Sequence, residues 1–252
     1  MNKKAIIISN YGSMNLDVYE TTYMDLEKLF KREFSDFDVY STYNSERILK
    51  KLEKKYGILL ENLEISLERM EKEEYEEVYI QPTYIIPGGE YEKLLEVMEK
   101  YKGKFNILKI GEPLFGDLDD IENFAEIAKK LFTDKNNAYI FAAHGSKGKN
   151  VMYYGMLAHK LKIKNDNFFT ITLEEGLPFE EVEETILDGY ENAFIIPLLV
   201  VSGHHFQKDI NEKILSFLCE KGIQSEVKYR SLLDVPGVKN IYVSHCWKII
   251  EL

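Results

Sequence analysis

The side chains best suited to chemistry in this chain are three histidines that each follow a run of apolar residues. His144 comes directly after the apolar segment 139–143, and His204 and His205 follow a second apolar segment through a short Ser-Gly link. An imidazole can accept a proton near neutral pH, because its reference pKa is about 6.5, and it can also bind a divalent metal ion. These two properties make the three histidines the first candidates for a functional site.

Each of these histidines also has an ordinary structural explanation. A histidine at a strand end can cap the next helix or bind loop backbone, and two loop histidines can simply lie on the surface. Neighbouring side chains in an extended turn point in opposite directions, so only one of His204 and His205 can readily face a site. For the remaining histidines, His159 and His245, a structural or surface role is the better interpretation.

Two carboxylates occupy comparable positions. Glu175 follows the apolar run 168–173, and Glu90 follows Gly88-Gly89 at the start of a predicted helix. Acidic residues are common in a first helical turn, where they complement the helix dipole, so spacing alone distinguishes neither. Two imidazoles with one carboxylate nevertheless form a borderline-soft site for a first-row divalent ion. Three protein ligands with open positions favour a catalytic site over a closed structural one.

Short apolar segments alternate with longer amphipathic segments along the chain. This alternation predicts an α/β fold, with parallel sheets flanked by helices. In such sheets ligands bind beyond the carboxyl ends of the strands, which is where the candidate residues lie. The predicted strands are Ala5–Ser9, Phe37–Ser41, Val78–Ile86, Phe105–Ile110, Ala138–Ala143, Phe168–Leu173, Ala193–Val201 and Ser225–Tyr229.

The sequence contains two pairs of similar segments, which indicate an internal repeat. Tyr11-Gly12-Ser13, after the first strand, corresponds to His144-Gly145-Ser146, and the segment 82–90 aligns without gaps with 197–205. The repeat is weak in identity, and any two βαβ units share a strand–turn–glycine pattern. It predicts two similar α/β halves with a cleft between them, residues 1–125 and 126–252.

The repeat also chooses between the adjacent histidines. The second alignment pairs Glu90 with His205, which favours His205 over His204 as the histidine that faces a site. Because the candidate imidazoles and carboxylate come from distant stretches of chain, no local ligand motif could identify them. Two imidazoles and an acid must then converge from separate loops.

Composition limits the classes of partner. The net charge of −11 disfavours nucleic acid and anionic lipid, because both are polyanions. No apolar run approaches the ~20 residues of a membrane span, and no secretory signal precedes the first strand, so we expect a cytoplasmic protein without a membrane partner. The G-x-G-x-x-G and complete P-loop patterns are absent, and we expect no organic cofactor.

At these residues the sequence resembles a known family over nearly its whole length: the anaerobic (class II) sirohydrochlorin cobalt chelatases, relatives of the ferrochelatases. Segment 7–13 looks like the family's first strand and substrate loop, and segment 80–93 is similar to its most recognisable internal stretch. Segment 144–145 matches its catalytic histidine and glycine, 175–178 its acidic turn, and 197–205 its second histidine segment. The set is specific as a whole, although each piece alone is not.

The resemblance implies a role for each candidate residue. Metal ligands are expected at His144, Glu175 and His205, and catalytic roles at His144 and Glu90. His204 is a departure, since relatives often have an acidic residue there. The expected substrate-binding residues are Tyr11, Gly12, Ser13, Gly88 and Gly89.

The implied reaction is the insertion of a divalent metal ion into a tetrapyrrole. The expected substrates are Co²⁺, with Fe²⁺ and Ni²⁺ as alternatives, and sirohydrochlorin or a close relative. Metallation removes two pyrrole N–H protons, and we expect His144 to accept a proton as well as to bind the ion. Iron insertion for sirohaem, a non-catalytic tetrapyrrole or metal carrier, and an unrelated α/β binding protein remain alternatives, and a homo-oligomer is left open.

Overall fold

Parallel β-strands organise the part of the chain that the structure describes. The computed structural model describes residues 3–201 and 204–252, and the side chains at positions 18–20, 204, 205 and 207 lie outside that description. Within the described ranges, the strands are β1 (Lys4–Asn10), β2 (Asp38–Tyr43), β3 (Glu77–Pro82), β4 (Ile107–Ile110), β5 (Asn137–Ala143), β6 (Phe168–Thr172), β7 (Asn192–Pro197) and β8 (Gln224–Val227).

These strands form two sheets with equivalent topology. The first sheet has the order β2-β1-β3-β4, and the second has the order β6-β5-β7-β8. Every pairing within them is parallel. The α/β fold with two similar parallel sheets is therefore confirmed, and each predicted strand overlaps an observed one. β3 and β7 end at Pro82 and Pro197, earlier than predicted.

Helices connect the strands, as parallel pairing requires. Within the described residues, none of them has the length and apolar character needed to cross a bilayer. Two π-helical turns, Tyr19–Tyr23 and Ile210–Leu215, connect α1 to α2 and α9 to α10. The helices are α1 (Leu16–Val18), α2 (Met24–Glu33), α3 (Glu46–Tyr56), α4 (Leu63–Lys72), α5 (Gly89–Lys100), α6 (Leu118–Leu131), α7 (Val151–Lys164), α8 (Glu183–Gly189), α9 (His204–Asp209), α10 (Ser216–Glu220) and α11 (Val238–Glu251).

The chain forms two compact units. Unit 1 contains Met1–Gly116 and Lys239–Leu252, and unit 2 contains Asp117–Val238. The sequence predicted halves of 1–125 and 126–252, in which the C-terminal helix belongs to the second half. In the structure most of α11 belongs to unit 1, and the whole of α6 belongs to unit 2.

The interior strands of both sheets are apolar on both faces. In β1, Ala5, Ile6 and Ile7 are completely buried, and in β5 the same is true of Ile140 and Phe141. Helices must cover both faces of such a strand, and burial of each large side chain contributes about 1.5–3 kcal/mol. This packing fixes the strand ends from which the candidate side chains project.

Helix α11 is anchored to the backbone that follows β3. The buried hydroxyl of Tyr242 lies 3.2 Å from the carbonyl oxygen of Thr83 and 3.3 Å from that of Tyr84, and it donates to them. Nδ1 of His245 lies 3.0 Å from the carbonyl oxygen of Glu112. The indole of Trp247 packs against the ring of Phe34, with centroids 4.6 Å apart. These contacts tie the end of the chain to unit 1.

We predict that Tyr242→Phe lowers the free energy of unfolding by about 1–2 kcal/mol, because buried carbonyls lose their donor. Urea denaturation followed by circular dichroism measures the change. Tyr56→Phe is the matched control, because Tyr56 is 40% exposed. Equal stability of both variants and the unaltered chain would show that the Tyr242 hydroxyl does not anchor α11.

Candidate active site

The backbone ladder of the second sheet continues past the end of β5. The amide of Leu173 donates to the carbonyl of Ala143 at 3.0 Å, and the amide of Glu174 donates to the carbonyl of His144 at 2.9 Å. On the other side, the amide of Leu198 donates to Ala142 at 2.7 Å. The residues after β5, β6 and β7 are thus held along one sheet edge.

His144 lies at this edge with an acidic neighbour. Its Nε2 is 3.5 Å from Oε1 of Glu174, and both side chains are 57% exposed. The carboxylate of Glu175 instead approaches Lys147, with 3.9 Å between Oε1 and Nζ. The structure therefore brings the β5 histidine and both acids of the β6 turn to one edge, and Glu174 is the acid nearest the imidazole.

Glycine geometry shapes the turn after His144. Gly145 has φ of +104°, which L side chains rarely adopt, and a Cβ there would lie 2.8 Å from the carbonyl oxygen of Glu175. Gly176 in the facing turn also has a positive φ, +135°. The hydroxyl of Thr172 stabilises that turn by accepting from the amide of Leu177 at 2.7 Å. Close approach of the two turns requires the missing side chain of Gly145.

The second histidine segment starts from the neighbouring strand β7. Helix α9 begins at His204, seven residues after Pro197, and His205 is its second residue. The side chains of His204 and His205 lie outside the described part of the structure. Participation of His205 in a shared ion site with His144 stays a prediction.

The described side chains alone do not form a complete metal site. Among them, no group of three or more histidine, cysteine, aspartate or glutamate side chains could hold a metal ion. His144 and the two acids beside it are therefore not a metal site by themselves. The expected third ligand, His205, falls outside that search.

Unit 1 has the equivalent turn with different chemistry. Tyr11 follows β1 as His144 follows β5, and Gly12 has a φ of +106°, close to that of its counterpart. A Cβ on Gly12 would lie 2.8 Å from the ring of Tyr43. The Gly12 backbone also hydrogen-bonds to the buried side chain of Tyr23. The predicted correspondence of these two turns is therefore visible in the backbone.

A hydrogen-bond network that the sequence did not reveal supports the strand ends of unit 1. The side-chain amide of Asn44, after β2, donates to Ser9 Oγ at 2.7 Å and to the Asn10 carbonyl at 3.0 Å, and lies 3.4 Å from the Tyr84 hydroxyl. Its carbonyl accepts from the amide of Leu63 at 3.2 Å. A polar residue directly after a buried strand is the signal that could have identified Asn44.

Tyr84 carries a protonated hydroxyl in this network. Burial raises the pKa of Tyr84, the hydrogen bond from Asn44 opposes the change, and the charges of Glu90 and Tyr11 add to it. The hydroxyl therefore stays neutral near pH 7. It is available as a hydrogen-bond donor close to the predicted acid Glu90.

Glu90 is the second residue of α5, just as His205 is the second residue of α9. Helix α5 begins at Gly89, seven residues after Pro82, which reproduces the spacing in the other unit. The carboxylate of Glu90 accepts a hydrogen bond from Lys93 at 2.7 Å. A Cβ on Gly89 would have no neighbour within 4 Å, so the start of α5 is open.

Comparison with known proteins identifies the family. The profile described as "Cobalt chelatase (CbiK)" matches residues 4–251 of the chain. The chain belongs to this cobalt chelatase family. Both the predicted family and the enzyme class, a chelatase, are confirmed. A chelatase takes a metal ion and a tetrapyrrole as substrates, so the general class of both substrates follows from membership.

Individual relatives agree with this assignment at low identity. The sirohydrochlorin cobaltochelatase of Salmonella typhimurium is 21% identical over 257 residues, covering 99% of this chain and 97% of that protein. The sirohydrochlorin cobaltochelatase CbiKC of Nitratidesulfovibrio vulgaris is 26% identical over 259 residues, covering 97% and 90%.

Solved structures support the fold of the cobalt chelatase chain. SirB from Bacillus subtilis with Fe³⁺ superimposes with a TM-score of 0.69 at 16% identity, covering 98% of this chain and 95% of that one. The sirohydrochlorin chelatase SirB from Bacillus subtilis subspecies spizizenii, in complex with cobalt, gives 0.68 at 15% identity, covering 99% and 96%. At these identities the likeness establishes the shared fold.

We predict that Gly145→Ala destabilises the cobalt chelatase more than Gly148→Ala. Both residues have positive φ, but a Cβ on Gly148 would have no neighbour within 4 Å. The control should therefore show only the left-handed backbone cost of about 1–2 kcal/mol. Thermal unfolding compares the variants, and equal melting temperatures would mean that the turns after β5 and β6 do not need their close approach.

Proposed function

We propose that this chain inserts Co²⁺ into sirohydrochlorin in anaerobic cobalamin biosynthesis. The observation that carries the proposal is the exposed imidazole of His144 at the end of the interior strand β5, beside two acidic side chains. Two bacterial relatives that match nearly the whole chain carry the name sirohydrochlorin cobaltochelatase. The proposed location is the cytoplasm, and the reaction needs no organic cofactor.

His144 is proposed to accept a proton from the macrocycle. Insertion replaces two pyrrole N–H protons with a dication, so a base must stand where a large planar substrate can reach it. The 57% exposure of His144 makes its ring accessible to such a substrate. A neutral imidazole is an effective proton acceptor near pH 7. The carboxylate of Glu174, 3.5 Å away, would stabilise the imidazolium that forms.

The same imidazole is proposed to bind the incoming ion together with Glu175 and His205. Because β7 is hydrogen-bonded to β5, the helix that carries His205 starts from the sheet edge at which His144 lies. Imidazole and carboxylate ligands suit a first-row divalent ion. Loose binding is needed, since the ion must leave the protein for the macrocycle.

Unit 1 is proposed to bind the tetrapyrrole and to supply a second acidic group. Glu90 would relay protons, with the neutral hydroxyl of Tyr84 as a nearby hydrogen-bond donor. The open start of α5 and the exposed ring of Tyr11 offer surface for a macrocycle. The proposed substrate-binding residues are Tyr11, Gly12, Ser13, Gly88 and Gly89.

Iron is the second candidate metal, because the two similar SirB structures contain Fe³⁺ in one case and cobalt in the other. An anaerobic absorbance assay with sirohydrochlorin and Co²⁺, Fe²⁺ or Ni²⁺ separates the candidates. We expect the fastest insertion with Co²⁺, over many turnovers per protein molecule. Faster insertion of Fe²⁺ would assign the chain to sirohaem synthesis, and a single turnover would indicate a carrier.

We predict that His144→Ala lowers kcat for Co²⁺ insertion by about 100-fold or more, because the proton acceptor is lost. The matched control is His159→Ala, which removes an exposed imidazole from α7. Circular dichroism checks that both variants are folded. Turnover within twofold of the unaltered chain by folded His144→Ala would remove His144 from the chemistry.

The two acids after β6 are expected to have different roles. We predict that Glu175→Gln raises the KM for Co²⁺ more than Glu174→Gln, because Glu175 is the proposed ligand and Glu174 lies against the imidazole. Glu174→Gln should mainly lower kcat, by about tenfold, as expected for a group that supports another. Steady-state assays with varied Co²⁺ measure both constants. The opposite order would transfer the ligand role to Glu174.

A further inference from the structure

A lysine lies beside one of the two acids of the candidate active site. Nζ of Lys147 is 3.9 Å from Oε1 of Glu175, and the two side chains are 81% and 61% exposed. The other acid, Glu174, instead lies 3.5 Å from Nε2 of His144. Each acid of the turn after β6 therefore has a different basic group of the segment after β5 as its neighbour.

The backbone brings Lys147 within reach of Glu175. The turns after β5 and β6 approach so closely that a Cβ on Gly145 would lie 2.8 Å from the carbonyl oxygen of Glu175. Lys147 follows two residues later in an extended conformation, with φ of −93° and ψ of 154°, and a 3₁₀ turn over Gly148–Asn150 begins directly after it. The contact between the two turns thus determines which acid the lysine meets.

Unit 1 has no lysine at the corresponding position. The pairing of Tyr11-Gly12-Ser13 with His144-Gly145-Ser146 places Met14 opposite Lys147. The glycines of these two turns have nearly the same positive φ, +106° and +104°. The lysine is therefore not required by the backbone of the turn, and it occurs in the unit that carries the imidazole and its acids.

The ion pair between Lys147 and Glu175 is weak. Exposed pairs of this kind contribute little to stability, because water screens them and two long side chains must be ordered. The ammonium can therefore leave the carboxylate when a divalent ion arrives, since the ion has twice the charge and binds the carboxylate oxygen directly. A positive charge that stays a few ångströms from a dication repels it. Loss of the pair and repulsion of the ion both lower the affinity for metal.

We propose that Lys147 competes with the substrate metal ion for the carboxylate of Glu175 and thereby keeps metal binding loose. This inference rests on the proposed function, in which Glu175 is a metal ligand and the ion must pass from the protein to the macrocycle. Lys147 acts through Glu175 and does not bind the ion. It occupies the carboxylate in the metal-free protein, leaves as the ion binds, and returns when the ion has entered the tetrapyrrole.

The test is the affinity of the chain for Co²⁺ in the absence of tetrapyrrole. Isothermal titration calorimetry of the metal-free protein measures Kd, and steady-state insertion assays measure the KM for Co²⁺. Lys147→Gln should lower both constants by about threefold or more, with no rise in kcat, because a competing cation is removed. Lys147→Arg keeps the charge and should resemble the unaltered chain. A gain in affinity is a result that damage to the fold would not produce.

Two further comparisons assign the effect to the pair of Lys147 and Glu175. Lys149→Gln is the matched control, because Lys149 is an exposed lysine of the same segment that forms no salt bridge with any residue the structure describes. It should change Kd by less than Lys147→Gln does. In a Glu175→Gln background, Lys147→Gln should have a smaller effect than in the unaltered chain, since the two residues are coupled. Added salt should also narrow the difference between Lys147→Gln and the unaltered chain.

Unaltered or weaker Co²⁺ binding by folded Lys147→Gln, with normal insertion by the unaltered chain, would overturn this inference alone. An equal gain in affinity on Lys149→Gln would overturn it as well, because any lost charge in the segment would then explain the result. If the unaltered chain neither bound Co²⁺ nor inserted it, the proposed function and this inference would both be wrong.

Discussion

The candidate site depends on one backbone constraint: β5 is hydrogen-bonded on both sides. Because β6 and β7 both run parallel to it, the carboxyl ends of three strands meet at one edge of the second sheet. The ladder continues beyond the strands, where the Glu174 amide donates to the His144 carbonyl. A slip of one residue would turn the side chains of the shifted strand to the other face. The register of this ladder therefore decides which acid meets the imidazole.

The two units use one backbone plan for different chemistry. Gly12 and Gly145 have nearly identical positive φ angles, so Tyr11 and His144 leave equivalent strand ends in equivalent turns. At its strand ends, unit 1 presents the phenols of Tyr11 and Tyr84 and the hydrogen-bonded side-chain amide of Asn44. Burial raises the pKa of Tyr84. Unit 2 presents the imidazole of His144 with the acids Glu174 and Glu175 at the equivalent strand ends.

Strand positions could be predicted from the sequence, because continuous apolar runs mark buried parallel strands and candidate residues follow directly from their ends. The partnership of Glu174 with His144 could not, since the direction of adjacent acids in a turn depends on register and on the positive φ of Gly176. Nor could the sequence assign α11 to unit 1. That placement depends on buried hydrogen bonds from Tyr242 to carbonyls after β3, which leave no periodic pattern. The family resemblance supplied the ligand roles.

Side chains from the ends of β5, β6 and β7 are proposed to bind one metal ion. Anomalous diffraction at the cobalt absorption edge, from crystals of the chain soaked in Co²⁺, tests it most directly. We expect one strong peak about 2.1 Å from an imidazole nitrogen of His144, with His205 and a carboxylate of the Glu174–Glu175 turn also bonded to the ion. A peak bound to other residues, or His144 and His205 too far apart to share the ion, would show that these three strand ends do not form one metal site.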